Sequence, residues 1–187
     1  MKNIIKALVV LDTTWKELKT SIVSDDNLKT IINQLATEQQ PIIEENYTAL
    51  TSDFGVYVFY IKPTKPYTLK TLLKDWEETE YRNFPKVVKT RFSNYSAIYT
   101  DEIYPFYIGK SEKLASRIKQ HITHSGKTST YSLKLNGRSF FNAENITFSY
   151  WKLPVELKEC SNEIKQFFIT QIENSLREKL NPWIGKQ

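Results

Sequence analysis

The segment "YPFYIGKSEKLASRIKQH", residues 104–121, changes its hydrophobic period in the middle. Its first part is aromatic and β-branched, which predicts a strand over about Pro105 to Ile108. Gly109 is then expected to turn the chain into a helix led by Ser111 and Glu112. The buried stripe of that helix is Leu114, Ile118 and Ile122, four residues apart. Arg117 and His121 are also four apart and share a different face. Lys110, Lys113, Arg117 and His121 therefore crowd one strand-to-helix corner, directly after Tyr104 and Tyr107.

Outward from this corner the periodicity gives the order of elements. Thr14 with Glu17 has the form of a capping box and predicts a short helix. A second helix is expected after Ser24 to Asp26, with Leu28, Ile31, Ile32 and Leu35 at helical spacing and Pro41 beyond its end. "FGVYVFYIK", Phe54 to Lys62, reads as a buried strand that "KPTKPY" terminates. Leu69, Leu72, Leu73 and Trp76 predict a further helix. The basic, aromatic "FPKVVKTRFSNYSAIYT" that follows carries no decisive period. "HSGKTSTYSLKLNGRS" reads as a polar, mobile loop, and "NITFSYWKL" as a third strand in which Ile146, Phe148 and Tyr150 alternate with smaller or polar residues. Ser161 caps a final helix with Ile164, Phe168, Ile172 and Leu176 inward and Pro182 marking its end. The expected architecture is α+β, with three antiparallel strands packed against helices, without internal repeats or low-complexity linkers.

Composition narrows the setting. A chain of 187 residues, 40% hydrophobic, suits one domain whose core needs no disulfide. The single cysteine, Cys160, excludes an intramolecular disulfide and a cysteine-paired zinc site, so a reducing, cytoplasmic setting is expected. Lys6 interrupts the apolar run Ile4 to Leu11 and no cleavage pattern follows, so neither a signal peptide nor a membrane span is expected. The charge is uneven. Between Lys86 and Arg138 stand ten Lys or Arg against Asp101, Glu102 and Glu112, whereas the whole chain carries only +5. A basic segment on an otherwise slightly acidic chain is the footprint of a polyanion-binding face, or simply an uneven soluble surface.

Several chemistries are excluded. "GKT", Gly126 to Thr128, ends like a phosphate-binding loop, but the glycine required five residues earlier is His121. His121 and His124 have no accompanying Glu or Cys set for a metal. No G-x-S-x-G elbow exists, and Cys160 lies in no nucleophile signature.

The tyrosines form a pattern. "GVY", Gly55 to Tyr57, sits in the first strand and "YIG", Tyr107 to Gly109, ends the second. Lys110 follows directly; Arg117 stands ten residues after Tyr107, His121 four later, and Glu173 on the last helix precedes Pro182 by nine. In this order and spacing the sequence resembles the GIY-YIG nuclease family from Phe54 to the C-terminus. The resemblance implies a nuclease domain over residues 54–187, with residues 1–53 as a helical extension and 62–103 as an insertion. It implies Tyr57 as general base, which requires cations or a metal to lower its pKa. Arg117 and Lys110 would neutralise the phosphate, Tyr107 and His121 would position water or phosphate, and Gly55 and Gly109 would complete the motifs. Glu173 would hold Mg²⁺ or Mn²⁺, which keeps several waters and needs few protein ligands.

Each residue also has a plainer reading. Tyr57 and Tyr107 can be sheet aromatics, Arg117 and His121 a solvated helix face, and Glu173 half of an exposed ion pair with Arg177. The chain departs from the family in two places. The Tyr57 to Tyr107 separation is long, and Gly185 stands where the family commonly has asparagine, with Asn181 nearby in a different register. The expected partner is duplex DNA, contacted by Lys86, Lys89, Arg91, Lys113, Lys127, Lys134 and Arg138. A restriction-type endonuclease is the leading expectation, with a homodimer as the arrangement by which it would cut both strands. The alternatives are a structure-specific repair or recombination nuclease, a non-catalytic nucleic-acid-binding module and a protein-interaction domain.

Overall fold

The computed structural model describes residues 1–138 and 145–185. Ser139, the last residue of the expected polar loop, lies outside them. Helices α1 (Lys2–Ile22) and α2 (Asp25–Thr37) lead into a two-residue strand β1 (Gln40–Pro41), a short α3 (Glu44–Thr48) and strand β2 (Gly55–Ile61). Helix α4 (Leu69–Glu77), strand β3 (Lys86–Val87) and α5 (Lys89–Phe92) follow. Next come β4 (Tyr104–Ser111), α6 (Leu114–Thr123), β5 (Ile146–Lys152), α7 (Asn162–Leu180) and β6 (Ile184–Gly185).

The protein is α+β, with seven helices among the described residues. The main sheet is antiparallel in the order β1-β5-β2-β4, and β3 pairs with β6 in a second, two-stranded sheet. The three expected strands are its β5, β2 and β4, but the sheet has a fourth, β1, at one edge. Two residues, one of them proline, carry no strand period; an edge tolerates proline because one side of the strand needs no ladder donor. Strand β2 is central and buried along its whole length, so it reads as a continuous apolar run.

The two faces hold separate cores. On one, Tyr57, Phe59 and Ile61 pack with α6, α4 and Trp183; on the other, Val56, Val58, Tyr60 and Ile108 pack with α2 and α7. The register slips between Phe59 and Tyr60, opposite Tyr107 and Pro105, leaving Phe106 as an extra residue in β4. This bulge lets Tyr104, Phe106 and Tyr107 all face the first core. Segment 62–103 belongs to that core through Tyr67, Leu72, Trp76, Phe84, Val87 and Phe92, and β3 joins it to the C-terminus.

Three local expectations are corrected. Thr14 opens no helix, because α1 runs unbroken through it for 21 residues. Gly109 is no turn: β4 continues to Ser111, and the helix starts at Leu114. The segment after His124 is no loose polar loop. Ser132, Leu133, Lys134 and Leu135 are buried, and the backbone N–H groups of Leu135 and Asn136 donate to the carbonyls of His121 and Ile122.

The first half of α1 projects from the body, leaving Ile4, Ile5, Leu8, Val9, Val10 and Leu11 exposed. Its second half is anchored by Trp15, whose ring lies 3.9 Å from that of Phe167, and by buried Ile22. No helix among the described residues is long and apolar enough to cross a membrane.

Candidate active site

Tyr57 of β2 projects onto α6, where its hydroxyl lies 2.8 Å from His121 Nε2. The backbone N–H of Leu133 donates to His121 Nδ1 at 3.0 Å. Nδ1 therefore carries no proton, and neutral His121 has its hydrogen on Nε2, directed into the Tyr57 oxygen. Full burial, then the positive charges of Arg117, His124 and Lys134, hold the His121 pKa well below its usual range, so the ring is neutral. His121 acts here as a donor to Tyr57 and is no base for the Tyr57 proton.

Gly109 makes this arrangement fit. It is paired with Tyr57 across β2 and β4, and a Cβ at Gly109 would overlap the Tyr57 hydroxyl and the ring carbon that bears it. The glycine of the YIG element thus leaves room for the first tyrosine. Gly55 has a different reason: a Cβ there would strike the Trp151 carbonyl on β5 and the Leu114 side chain.

Arg117 lies on the outer side of the pair, oriented by Nη1 donating to Gln120 Oε1 at 3.0 Å and Nη2 donating to the Tyr131 carbonyl at 2.8 Å. The Tyr57 oxygen thus meets a neutral imidazole donor and a nearby guanidinium, a setting that favours negative charge on it. Burial outweighs them: the Tyr57 pKa is raised well above the phenol range, with the neighbouring Tyr107 adding to the rise and Arg117 opposing it. The expected lowering of the Tyr57 pKa is therefore corrected for the free protein. Tyr107 is likewise raised by burial, while Arg117 and Arg177 pull down and Glu173 pushes up.

Glu173 approaches from α7 on the other face of the sheet. Strand β4 is the sheet edge opposite β1, and the Glu173 carboxylate is close enough to it to act on the charge of Tyr57 and Tyr107. The exposed ion pair read as a rival for Glu173 is present but buried: Arg177 Nη2 donates to Glu173 Oε1 at 2.7 Å, with side-chain exposures of 13% and 8%. Arg177 also reaches the Ile108 carbonyl at 3.5 Å. Gly185 lies beside Tyr107; a Cβ there would come 3.9 Å from the ring, and its φ of 144° suits glycine alone. Position 185 thus faces the site without presenting a side chain.

As for a metal, no cluster of three or more His, Cys, Asp or Glu side chains exists among the described residues. One carboxylate suits a hard cation that retains most of its water, so the donor set fits Mg²⁺ or Mn²⁺, with Arg177 as the competing charge at Glu173.

Several sequence-predicted residues stand apart. Lys110 projects toward α7, where its Nζ donates to Gln166 Oε1 at 3.0 Å, away from the tyrosines. Lys134 is fully buried, with Nζ donating to the Thr128 and Thr130 carbonyls and to Thr128 Oγ1. Arg138 is buried against the Trp76 ring at 3.6 Å and donates to the Leu133 and Trp76 carbonyls. These two are internal clamps, not surface contacts for a polyanion. Asn181 ends α7 in a left-handed conformation, and its Oδ1 accepts from Asn94 Nδ2 at 3.1 Å, so it secures residues 62–103 to the helix. Lys86 lies over the Phe84 ring, Lys89, Lys113 and Lys127 are exposed, and Arg91 is half-buried.

Tyr131 and the Leu133 N–H escaped the sequence reading because nothing in a polar segment indicates that it folds back onto a helix. Arg177 was legible only through its i+4 spacing from Glu173. The chain matches no family model, no curated protein and no solved structure.

Proposed function

We propose that the protein is a metal-dependent endonuclease of GIY-YIG type that hydrolyses phosphodiester bonds in duplex DNA, in a restriction-type role. The observation that carries this reading is the convergence of Tyr57, Tyr107, His121, Arg117 and Glu173 from β2, β4, α6 and α7. Arg117 offers a planar fork to a phosphate and neutralises charge developing on its oxygens. Neutral His121 holds the Tyr57 oxygen in place and stabilises a phenolate there when added positive charge overcomes the effect of burial. Tyr107, whose ring lies 6.2 Å from that of Tyr57 and which feels the charges of Glu173 and Arg177, orients the reacting phosphate. Glu173 would hold Mg²⁺ or Mn²⁺, which when bound supplies Lewis-acid charge neutralisation.

Exposed Lys89, Lys113 and Lys127 supply contacts to duplex DNA. A homodimer is the proposed unit for cutting both strands. Its support is α1, where Ile4, Leu8 and Leu11 continue the alternating four- and three-residue spacing of Trp15, Leu18 and Ile22 beyond the body. That is the pattern by which one helix pairs with another.

The test is cleavage of supercoiled and linear duplex DNA with Mg²⁺, Mn²⁺ or EDTA, by native protein and Glu173→Gln. Metal-dependent cutting that disappears in the variant is expected, and discrete fragments support the restriction role. A second reading, a non-catalytic nucleic-acid-binding module, is favoured by the protonated state of buried Tyr57 and by the engagement of Glu173 with Arg177. It predicts salt-sensitive binding without cleavage, indifferent to Glu173→Gln.

A further inference from the structure

The Glu173–Arg177 pair differs from the other ion pairs among the described residues, each of which is substantially exposed on at least one side. Two more guanidinium groups are electrostatically coupled to its surroundings. Arg117 and Arg177 both act electrostatically on Tyr107 and Tyr131. Arg91 of α5 is close enough to Arg177 to feel its charge; its Nη1 is buried without a partner, and burial and Arg177 both lower its pKa while Glu178 opposes them. Beside β4, where Arg177 reaches the Ile108 carbonyl, the Glu173 carboxylate is thus already engaged and a second arginine has a buried N–H group to offer.

We propose that Arg177 is an exchange residue. In the free protein it holds the Glu173 carboxylate, and it releases that carboxylate to a divalent cation only as its own guanidinium passes to a phosphodiester of the nucleic acid, with Arg91 donating to the same anion. This rests on the nuclease reading of the site and deepens it.

The argument is one of charge. If Arg177 stayed in place, a divalent ion and a guanidinium would face a single carboxylate at close range. If Arg177 left without a new partner, a largely buried cation would lose its counter-charge near Arg91, which already lacks a partner for one N–H. A phosphodiester removes both difficulties, because its paired oxygens match the guanidinium fork and its charge replaces that of Glu173. Cation and nucleic acid therefore each strengthen the binding of the other, as linkage requires. The protein holds the cation weakly until substrate is present.

The experiment measures Mn²⁺ binding from the loss of the free-ion EPR signal. It compares native protein, Arg177→Met, Arg91→Met and Glu173→Gln, each alone and with a mixed-sequence duplex whose phosphorothioate linkages resist cleavage. Native protein is expected to bind Mn²⁺ about tenfold more tightly with duplex than without. Arg177→Met is expected to bind Mn²⁺ alone about tenfold more tightly than native protein and to gain little from duplex. Arg91→Met is expected to show a smaller duplex effect than native protein, and Glu173→Gln to lose the site.

If Arg177→Met and native protein behave alike in both conditions, the exchange is overturned, while Glu173 and the nuclease reading stand. If native protein and Glu173→Gln bind Mn²⁺ alike, Glu173 is no ligand and both fall. Should Arg177→Met fail to fold, Arg177→Gln serves, with its charge removed and its polarity kept. It is expected to bind Mn²⁺ alone more tightly than native protein, and unchanged binding there, or no duplex effect in native protein, overturns the proposal.

Discussion

Tyr57 and His121 meet at 2.8 Å between the hydroxyl and Nε2, with Tyr57 1% exposed and His121 fully buried. Neither can titrate or move without disturbing the other. Because Leu133 caps Nδ1, the bond has one direction, from imidazole to phenol.

His121 makes stability depend on pH. Its pKa in the fold is depressed, whereas unfolded histidine titrates at about 6.5. The unfolded chain therefore binds the proton more readily below that pH. The contribution of neutral His121 is complete above about pH 6.5 and declines as the pH falls toward its folded value, at up to about 1.4 kcal/mol per pH unit. His124, lowered in the same direction, adds to the slope. Urea unfolding between about pH 7 and pH 5 should show the decline. His121→Gln should flatten it and lower stability at neutral pH by about 1–3 kcal/mol through the loss of two buried hydrogen bonds.

Gly109→Ala places a methyl group on the hydroxyl end of buried Tyr57. It should cost about 1–3 kcal/mol and displace Tyr57 from His121. Because the two changes share one space, Tyr57→Leu should relieve part of that cost. A double-mutant cycle by chemical denaturation in which the two penalties simply add would remove this explanation of the glycine.

The basic residues should separate into two groups. Lys134→Met leaves the Thr128 and Thr130 carbonyls without their donor and should lower stability by about 1–3 kcal/mol, without changing the salt dependence of duplex binding. Lys113→Ala and Lys127→Ala should leave unfolding unchanged and each reduce the slope of log affinity against log salt by about 1. Fluorescence anisotropy across a salt series, with thermal melts alongside, checks both.

The projecting half of α1 should bind a second copy. Leu8→Glu with Leu11→Glu is expected to convert a dimer to a monomer in analytical ultracentrifugation, while thermal stability is retained because both side chains are exposed in the single chain. A native protein that is monomeric at every concentration would sink the pairing.

The features legible in the sequence were those with local causes. The stripe of α6, the aromatic run of β2 and the cap at Ser161 reside in spacings of a few residues, and all three elements formed. Tyr107, Arg117 and His121 lie on the adjoining β4 and α6, but Tyr57 comes from β2 with α4, β3 and α5 between, and its place beside them was legible only through the motif resemblance. Gly109 was misread as a turn, since the same residue serves a turn and a close approach. Lys134, Arg138 and Asn181 were misread because charge and polarity are visible in a sequence, while the carbonyls that engage them come from distant segments.

The amino-acid sequence by itself determined the α+β class and the order of β2, β4, α6, β5 and α7. Hydrophobic period and capping act within a few turns of chain, so they survive in the sequence. Only the tertiary structure decided that β1 joins the sheet, that Lys110 turns to Gln166, that Lys134 and Arg138 point inward, and that Glu173 is paired with Arg177 in a buried site at the edge of β4. Those outcomes depend on which face each element buries against another, and no single stretch of chain contains that information.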